Sequence, residues 1–200
     1  LVVTLVNSAV DNFSTRISAF LKEKKLIPNL GYRIRTLHGL AHDIVRERPD
    51  LVGLSDRFTI VDERDSLEKM DSAVTSWLRI HPEFITDWTA PEVDLDSDRF
   101  IQKQWLDLAN NLARSFIRQC KDLQFTPLEL QQKLKQLQSP HPLLQFGADV
   151  YADYQRSLNY SSAIDFSDLI RLALQALQAD PEYLRRLLHG GYPQPGVQAM

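Results

Sequence analysis

The sequence contains little cysteine, little glycine and no long apolar run. Its single cysteine, Cys120, cannot form an intramolecular disulfide, which favours a reducing, cytoplasmic location. No apolar run approaches the roughly 20 residues of a membrane span, and no signal-peptide pattern opens the chain, so we expect no membrane association. The glycines form neither a GxxxxGKS/T phosphate loop nor a GxGxxG turn, and GxSxG and HExxH are also missing. The chain therefore lacks the usual signatures of a nucleotide hydrolase, a serine hydrolase or a zinc peptidase.

The charge of the chain is ordinary in amount but uneven in position. Apolar residues make up 44% and charged residues 24%, so we expect a folded protein with a core. The net charge of −3 argues against strong nucleic-acid binding by the chain as a whole. Residues 1–48 nevertheless contain eight Lys/Arg and four Asp/Glu, and the remainder is acidic. Positive potential is therefore concentrated in the first quarter of the chain.

Hydrophobic spacing predicts an α/β fold that is mostly helical and contains a partial parallel sheet. The opening LVVTLV is typical of a buried parallel strand, and YRIRT at 32–36 alternates like a second strand. A helix follows each of them, the second from about 38 to 48, and a third strand falls near 58–61. From about 64 to 180 the pattern is almost wholly helical, with a TPLE capping box at 126–129. Because the chain starts without Met inside an apolar run, we expect a fragment of a longer protein.

Three groups of residues could serve metal binding or catalysis, but each also has an ordinary structural explanation. His38 and His42 have the i, i+4 spacing of a two-histidine metal site, but no third ligand is evident, so we predict no metal. Cys120 lies on a helical apolar stripe, which favours a core position over a nucleophile. Asp165 and Asp168 form a paired-carboxylate pattern, DFSDL, that we interpret as helix capping rather than catalysis. We therefore predict no catalytic residue in the chain.

Two hinges between a strand and a helix are the remaining candidates for a binding site. They comprise residues 4–7 and 36–39, and their candidate binding residues are Thr4, Asn7, Thr36, His38 and Gly39. Ligands of open α/β sheets bind at the carboxyl ends of the strands, and N–H groups at helix starts attract phosphate. The hinges could therefore hold successive phosphates of a nucleic-acid strand. Alternatively, their side chains could simply cap the helices, with Asn7 or Ser8 capping the first.

Four segments of the chain share their order and spacing with the motifs of one enzyme family. LVVTLVNSAVDNFSTRI (1–17) is similar to a T-F-T-N-K-A-A segment with its helix, and RTLHGLAHDIVR (35–46) to a T-F/I-H-G/S segment. FTIVDERD (58–65) matches F-x-I-x-D, and YADYQRSLNYSSAIDFSDLIRLALQAL (151–177) resembles a helix pair that carries D-F-D-D-L-L. Together these segments resemble the UvrD/Rep-type superfamily-one DNA helicases.

The resemblance implies part of a RecA-like (P-loop NTPase) motor domain with a large all-helical insertion. It assigns 1–65 to the motor domain as strand–helix–strand–helix, 66–147 to the inserted helical subdomain, and 148–186 to return helices of the motor domain. We expect 187–200 to be a disordered tail, because HGGYPQPGVQAM is rich in helix breakers.

The resemblance also implies that both hinges contact single-stranded DNA. Backbone phosphate would be held without sequence readout, and a glycine would let the strand approach closely. The implied contacts are Thr4 and Asn7 at the first hinge and Thr36, His38 and Gly39 at the second. Sequence-independent attraction would come from Arg33, Arg35 and Arg46.

The chain departs from the family pattern at both hinges. Leu5 and Leu37 stand where the family usually has aromatic residues, and Ser8 stands in place of a lysine. Stacking of a base on an aromatic side chain contributes about 1–3 kcal/mol. We therefore expect weak DNA binding by this chain.

These patterns predict a fragment of an ATP-dependent DNA helicase that carries part of the single-stranded DNA path. The parent protein is implied to bind ATP and magnesium and to serve DNA repair or replication. This chain lacks the family's ATP loop and its D-E-x-x motif, so we expect it to bind no cofactor alone and to be inactive as an ATPase. The competing hypothesis is a non-enzymatic helical interaction module derived from a degenerate helicase. A truncated sheet would also expose an edge through which copies could associate.

Overall fold

Helices make up most of the computed structural model, which describes residues 1–27, 32–86 and 99–189. Short parallel strands lie between the helices, so the predicted mostly helical α/β fold is confirmed. In chain order the elements are β1 (Val2–Thr4), α1 (Asn7–Glu23), β2 (Ile34–Thr36), α2 (Leu37–Glu47), a 3₁₀ turn (Pro49–Val52), β3 (Thr59–Ile60), α3 (Glu63–Ile80), α4 (Glu83–Thr86), α5 (Arg99–Asp122), α6 (Pro127–Lys135), α7 (Pro142–Tyr160), β4 (Ala163–Ile164), α8 (Asp168–Ala179) and α9 (Pro181–Leu188). None of the helices in the described ranges has the length and apolar content needed to cross a bilayer.

The described chain divides into two compact units. The first unit contains 1–58 and the described residues from 168 to 189, and the second contains 59–167. Each unit holds one parallel strand pair, β1 with β2 in the first and β3 with β4 in the second. The second unit is one continuous stretch of chain, whereas the first is made of two separate stretches.

The first unit is built on β1, β2 and the helices that follow them. The register pairs Val2 with Ile34 and Thr4 with Thr36, so both strands end at the same edge. Helix α2 packs extensively against α8, and Val45 is fully buried. Helix α1 contacts the sheet but contains no buried residue, and Phe13 and Phe20 are exposed on it.

The second unit has a core formed by α3, α5, α6 and α7. Aromatic side chains fill it: Trp77 meets Phe84 and Phe146 edge to face, each with ring centroids 4.9 Å apart. Tyr154 is fully buried in the same cluster. Cys120 also lies in this core, so its predicted structural position is confirmed.

The structure differs from the sequence prediction mainly at β4. The sequence pattern predicts no strand between about 64 and 180, but Ala163 and Ile164 pair with Thr59 and Ile60 as parallel strands. A two-residue strand carries too little periodic signal to be distinguished from the helices on both sides. At the end of the chain, α9 extends to Leu188, and the predicted tail lies outside the described residues from 190 onward.

The predicted capping box at the start of α6 is confirmed. Thr126 Oγ1 accepts a hydrogen bond from the backbone N–H of Glu129 at 3.3 Å, and Glu129 Oε2 accepts from the backbone N–H of Thr126 at 2.8 Å. We expect Thr126→Ala to lower the free energy of unfolding of the second unit by about 1 kcal/mol, since one helical N–H loses its partner. Urea denaturation followed by tryptophan fluorescence measures this loss. An unchanged midpoint would show that solvent replaces the cap without cost.

Candidate nucleic-acid interface

The two predicted hinges lie next to each other in the structure. Thr4 and Thr36 are register partners at the carboxyl ends of β1 and β2. Helix α2 begins immediately after Thr36. Helix α1 begins at Asn7, three residues after Thr4, with Val6 as its N-cap. The predicted juxtaposition of the hinges therefore follows directly from the parallel pairing of the two strands.

The first hinge is organised by the hydroxyl of Thr4. Its Oγ1 accepts from the backbone N–H of Val6 at 3.3 Å and lies 3.4 Å from the carbonyl oxygen of the same residue. Val6 is the N-cap of α1 in an extended conformation (φ −132°, ψ 147°), and no side chain caps the helix. The prediction that Asn7 or Ser8 caps α1 is wrong, because both residues already lie within the helix. Next to this uncapped end, Leu5 is 80% exposed.

The second hinge is organised by the side chain of Thr36. Its Oγ1 accepts from the backbone N–H of Gly39 at 3.0 Å, so Thr36 is the N-cap of α2. A Cβ atom built on Gly39 would lie 3.1 Å from this oxygen, which explains why glycine suits the position. The capping interpretation is therefore correct for Thr36, while the contacts of Thr36, His38 and Gly39 with DNA stay a prediction. His38 is half-buried in the first turn of α2.

The arginines of β2 lie on the opposite face of the strand from Thr36. Side chains alternate along a strand, so Arg33 and Arg35 share the exposed face while Ile34 and Thr36 share the other. Arg35 Nε lies 3.2 Å from Asp43 Oδ2, and the Arg35 side chain remains 49% exposed. Asp43 is a buried residue of α2 that no sequence motif marked as part of the interface. An acidic residue on the otherwise apolar face of α2 is the pattern that could have indicated this ion pair.

Arg46 lies away from the hinges, in the last turn of α2. The helical rise places it roughly 13 Å along the axis from Leu37. Its guanidinium group is centred 4.6 Å from the ring centroid of Phe58, and its Nη1 donates to the Phe58 carbonyl at 3.1 Å. Arg46 thus holds the loop before β3. It does not lie beside the hinge residues, so its contact with DNA stays a prediction.

A polar cluster holds α9 against the end of α2. Tyr183 OH donates to Glu47 Oε2 at 2.9 Å, and burial, together with Glu47, raises the pKa of Tyr183. Arg48 Nη1 lies 2.9 Å from Asp180 Oδ2. The backbone N–H of Tyr183 and the Arg48 guanidinium lower the pKa of Asp180, which is the N-cap of α9. This cluster holds α2, the helix that follows the second hinge, against α9. In the sequence, the Asp180-Pro181 pair is typical of a helix start and was the only indication of α9.

The lowered pKa of Asp180 makes a prediction about acid stability. An aspartate whose pKa is lower in the folded state stabilises the protein above its unfolded pKa of about 3.9, and the stabilisation is lost as the pH falls through the folded value. Asparagine also caps a helix, so Asp180→Asn removes the charge and retains the cap. We expect the melting temperature of this variant to fall less than that of the unmodified chain when the pH is lowered from about 5 to about 2. Circular dichroism melting curves measure the difference, and Asp11→Asn on exposed α1 is the control. Parallel pH profiles for all three proteins would contradict the prediction.

The candidate metal and cofactor residues do not form a site. His42 Nδ1 lies 3.5 Å from Asp43 Oδ1, and the described ranges contain no group of three His, Cys, Asp or Glu residues able to hold a metal ion. The sequence also has no GxxxxGK segment to cradle the phosphates of ATP. No step of ATP hydrolysis is assigned to the described residues.

Strands β1 and β2 end at one edge, where each leads through a hinge threonine into a helix. Residues 1–189 match the model of the UvrD/REP helicase N-terminal domain, and the chain is a member of that family. The resemblance read from the four motifs is therefore confirmed.

Several curated relatives are DNA helicases from bacteria. The chain is 25% identical over 184 residues to the ATP-dependent DNA helicase PcrA of Staphylococcus epidermidis, a match that covers 92% of this chain and 21% of the relative. It is 27% identical over 187 residues to the probable DNA helicase II homolog of Rickettsia felis, covering 92% and 23%. PcrA of Leuconostoc citreum is 24% identical over 186 residues, covering 93% and 21%. The chain thus spans about a fifth of the length of these relatives.

Proposed function

We propose that the chain is part of the first motor domain of an ATP-dependent DNA helicase and contributes two neighbouring contacts to single-stranded DNA. The observation that carries the proposal is the register pairing of Thr4 with Thr36 at one edge of the β1–β2 pair. The family match and the helicase relatives support it. In this proposal 1–65 and 148–186 belong to a RecA-like domain, and 66–147 is its helical insertion.

Each hinge would hold a backbone phosphate in a different way. At the first hinge no side chain caps α1, so the first N–H groups of the helix can donate to an anion. At the second hinge the hydroxyl of Thr36 is already oriented by the N–H of Gly39. Its own hydrogen can then point to a phosphate oxygen, with His38 beside it. Neighbouring strands lie about 4.8 Å apart, so one DNA strand could contact both hinges.

Removing the polar groups of the second hinge tests the proposal. We expect Thr36→Ala combined with His38→Ala to weaken binding of a fluorescein-labelled oligo(dT) about tenfold, because one phosphate loses its hydrogen-bond donors. Fluorescence anisotropy at low salt measures the affinity. Thr126→Ala removes an N-cap threonine from the second unit and is the matched control, expected to bind normally. Thr36→Ser retains the hydroxyl and should also bind normally.

The salt dependence of binding distinguishes this proposal from a non-enzymatic interaction module. Binding led by phosphate weakens steeply with salt, with a log–log slope of about −0.7 per neutralised phosphate on a single strand. Leu5 stands where the family usually has an aromatic residue and offers no ring on which a base could stack, which favours the competing module. If the Thr36 and His38 substitutions leave DNA affinity unchanged, both residues have only structural roles and the helicase proposal loses its site.

The remaining functions of the parent protein belong to the same proposal. ATP and magnesium would be bound by regions of the full helicase other than these 200 residues, and the chain alone would not hydrolyse ATP. Among the described residues, β1 and β2 pair only with each other, so each keeps an edge through which a second copy could pair. Sedimentation equilibrium over a concentration series tests that association.

A further inference from the structure

We infer that the second unit carries a docking cleft for an arginine-bearing segment of a partner protein. The cleft has a volume of about 570 Å³ and lies at the carboxyl edge of the β3–β4 pair. It is lined by 60–63 and 165–167, which follow the two strands, and by Ser66 on α3. This inference is independent of the proposed function, because it concerns another unit of the chain and a protein ligand.

Part of the cleft lining is apolar and includes an exposed aromatic ring. Ile60 and Val61 line one side, and Phe166 lines the other with 55% of its surface exposed. An apolar lining suits a side chain with a long aliphatic stem, such as arginine or lysine. The face of an exposed phenylalanine ring also attracts a cation, and the planar guanidinium group stacks on it better than an ammonium group does.

The exposed carboxylates of the cleft lining make it negative. They are Asp62 and Glu63, whereas Asp165 is buried and paired with Lys121. The described residues that line the cleft include no lysine, arginine or histidine. Arg64, the cation next in sequence, lies with its Nε 3.0 Å from Glu68 Oε1. This charge distribution repels a phosphate backbone and attracts a cationic side chain, so the complementary partner is a basic protein segment rather than DNA.

A buried hydrogen-bond chain makes the hydroxyl of Ser66 an acceptor. Tyr154 OH donates to Asp165 Oδ2 at 2.7 Å, and the same carboxylate oxygen pairs with the buried Lys121. Because the Tyr154 hydrogen is used in this way, its oxygen accepts from Ser66 Oγ at 2.6 Å. The hydrogen of Ser66 is thus directed inward, and its oxygen can only accept from a ligand. A guanidinium group, which has five N–H donors and no acceptor, matches this arrangement.

A set of short peptides tests the cleft on the full 200-residue chain. The probes are acetyl-Gly-Arg-Gly-amide, its lysine analogue and its citrulline analogue, which keeps the shape of arginine without the charge. We expect the arginine peptide to shift the ¹H–¹⁵N resonances of Ser66 and Phe166 with a dissociation constant at least tenfold lower than the citrulline peptide. The lysine peptide should bind with intermediate affinity. Equal affinities for arginine and citrulline would overturn the inference.

Two substitutions locate the binding without disturbing the fold. Asp62 caps α3 by accepting from the N–H of Asp65 at 2.8 Å, and asparagine caps equally well, so Asp62→Asn removes only charge. We expect Asp62→Asn and Phe166→Ala each to weaken the arginine peptide at least threefold. Asp107→Asn, at an exposed site on α5, is the control and should have no effect. An equal loss in the control, or the same resonance shifts with oligo(dT), would refute a specific arginine cleft.

Discussion

Lys121→Met is expected to lower the free energy of unfolding of the second unit by about 3–5 kcal/mol, because it leaves the buried carboxylate of Asp165 without its cation. Lys121 Nζ contacts Asp165 Oδ2 at 2.5 Å, and only 3% of the lysine side chain is exposed. Tyr154 OH would remain as a donor to the carboxylate, but it carries no charge. Urea denaturation monitored by tryptophan fluorescence suits this test, since Trp77 and Trp105 lie in the described part of the second unit.

Two further variants separate the charge effect from a packing effect. Lys103→Met replaces an exposed lysine on the same helix and is expected to change stability little. Adding Asp165→Asn to Lys121→Met removes the uncompensated charge and should recover much of the lost stability. If the double variant is as unstable as Lys121→Met alone, the loss comes from packing and not from the unpaired carboxylate.

Gly147→Ala is expected to destabilise the second unit by about 1–3 kcal/mol, although alanine favours a helix over glycine by about 1 kcal/mol. A Cβ atom on Gly147 would lie 2.6 Å from two ring carbons of Phe116, too close for van der Waals contact. Gly147 is buried in α7, so either the ring or the helix must move. A loss of stability would mean that the clash with Phe116 outweighs the better helix propensity of alanine. The urea midpoint of the variant measures the change in stability.

A smaller side chain on α5 should relieve that clash. Phe116→Ala removes the Cγ and Cδ atoms that the new methyl group would meet, so Phe116→Ala combined with Gly147→Ala is expected to cost less stability than the sum of the two single losses. A stabilised Gly147→Ala variant would instead mean that α5 and α7 separate easily, and that their contact is not a rigid part of the core.

Local sequence patterns predicted the elements around the candidate interface better than their contacts. LVVTLV and YRIRT indicated β1 and β2, and strand–helix alternation was sufficient to place Thr4 and Thr36 at one edge. The predicted N-cap of α1 was wrong because the hydrogen bond from the Val6 N–H to the Thr4 hydroxyl fixes where that helix begins. The structural contacts of Arg46 were not predictable either, since they depend on how the loop before Phe58 folds back on α2.

Long-range pairings explain most of what the sequence did not reveal. Asp165 was interpreted as a helix cap because an acidic residue before a helix is common. Its ion pair with Lys121 joins residues 44 positions apart, and no periodicity connects them. Lys121 itself lies in an amphipathic helix, where a lysine is expected on the solvated face. Only the packing of α5 against α7 and the ion pair with Asp165 make it a buried cation.

The division of the chain into one continuous and one split unit has a consequence for the order of folding during synthesis. Residues 59–167 contain both strands and all the helices of the second unit, so that unit can form before the rest of the chain is made. The first unit cannot complete its core until α8 emerges, because α2 packs against it. Until then the side of α2 that packs against α8 is exposed for the whole time in which roughly 110 residues are translated, at about 5–20 residues per second. A chain interrupted before 168 would therefore retain a folded second unit and an incomplete candidate interface.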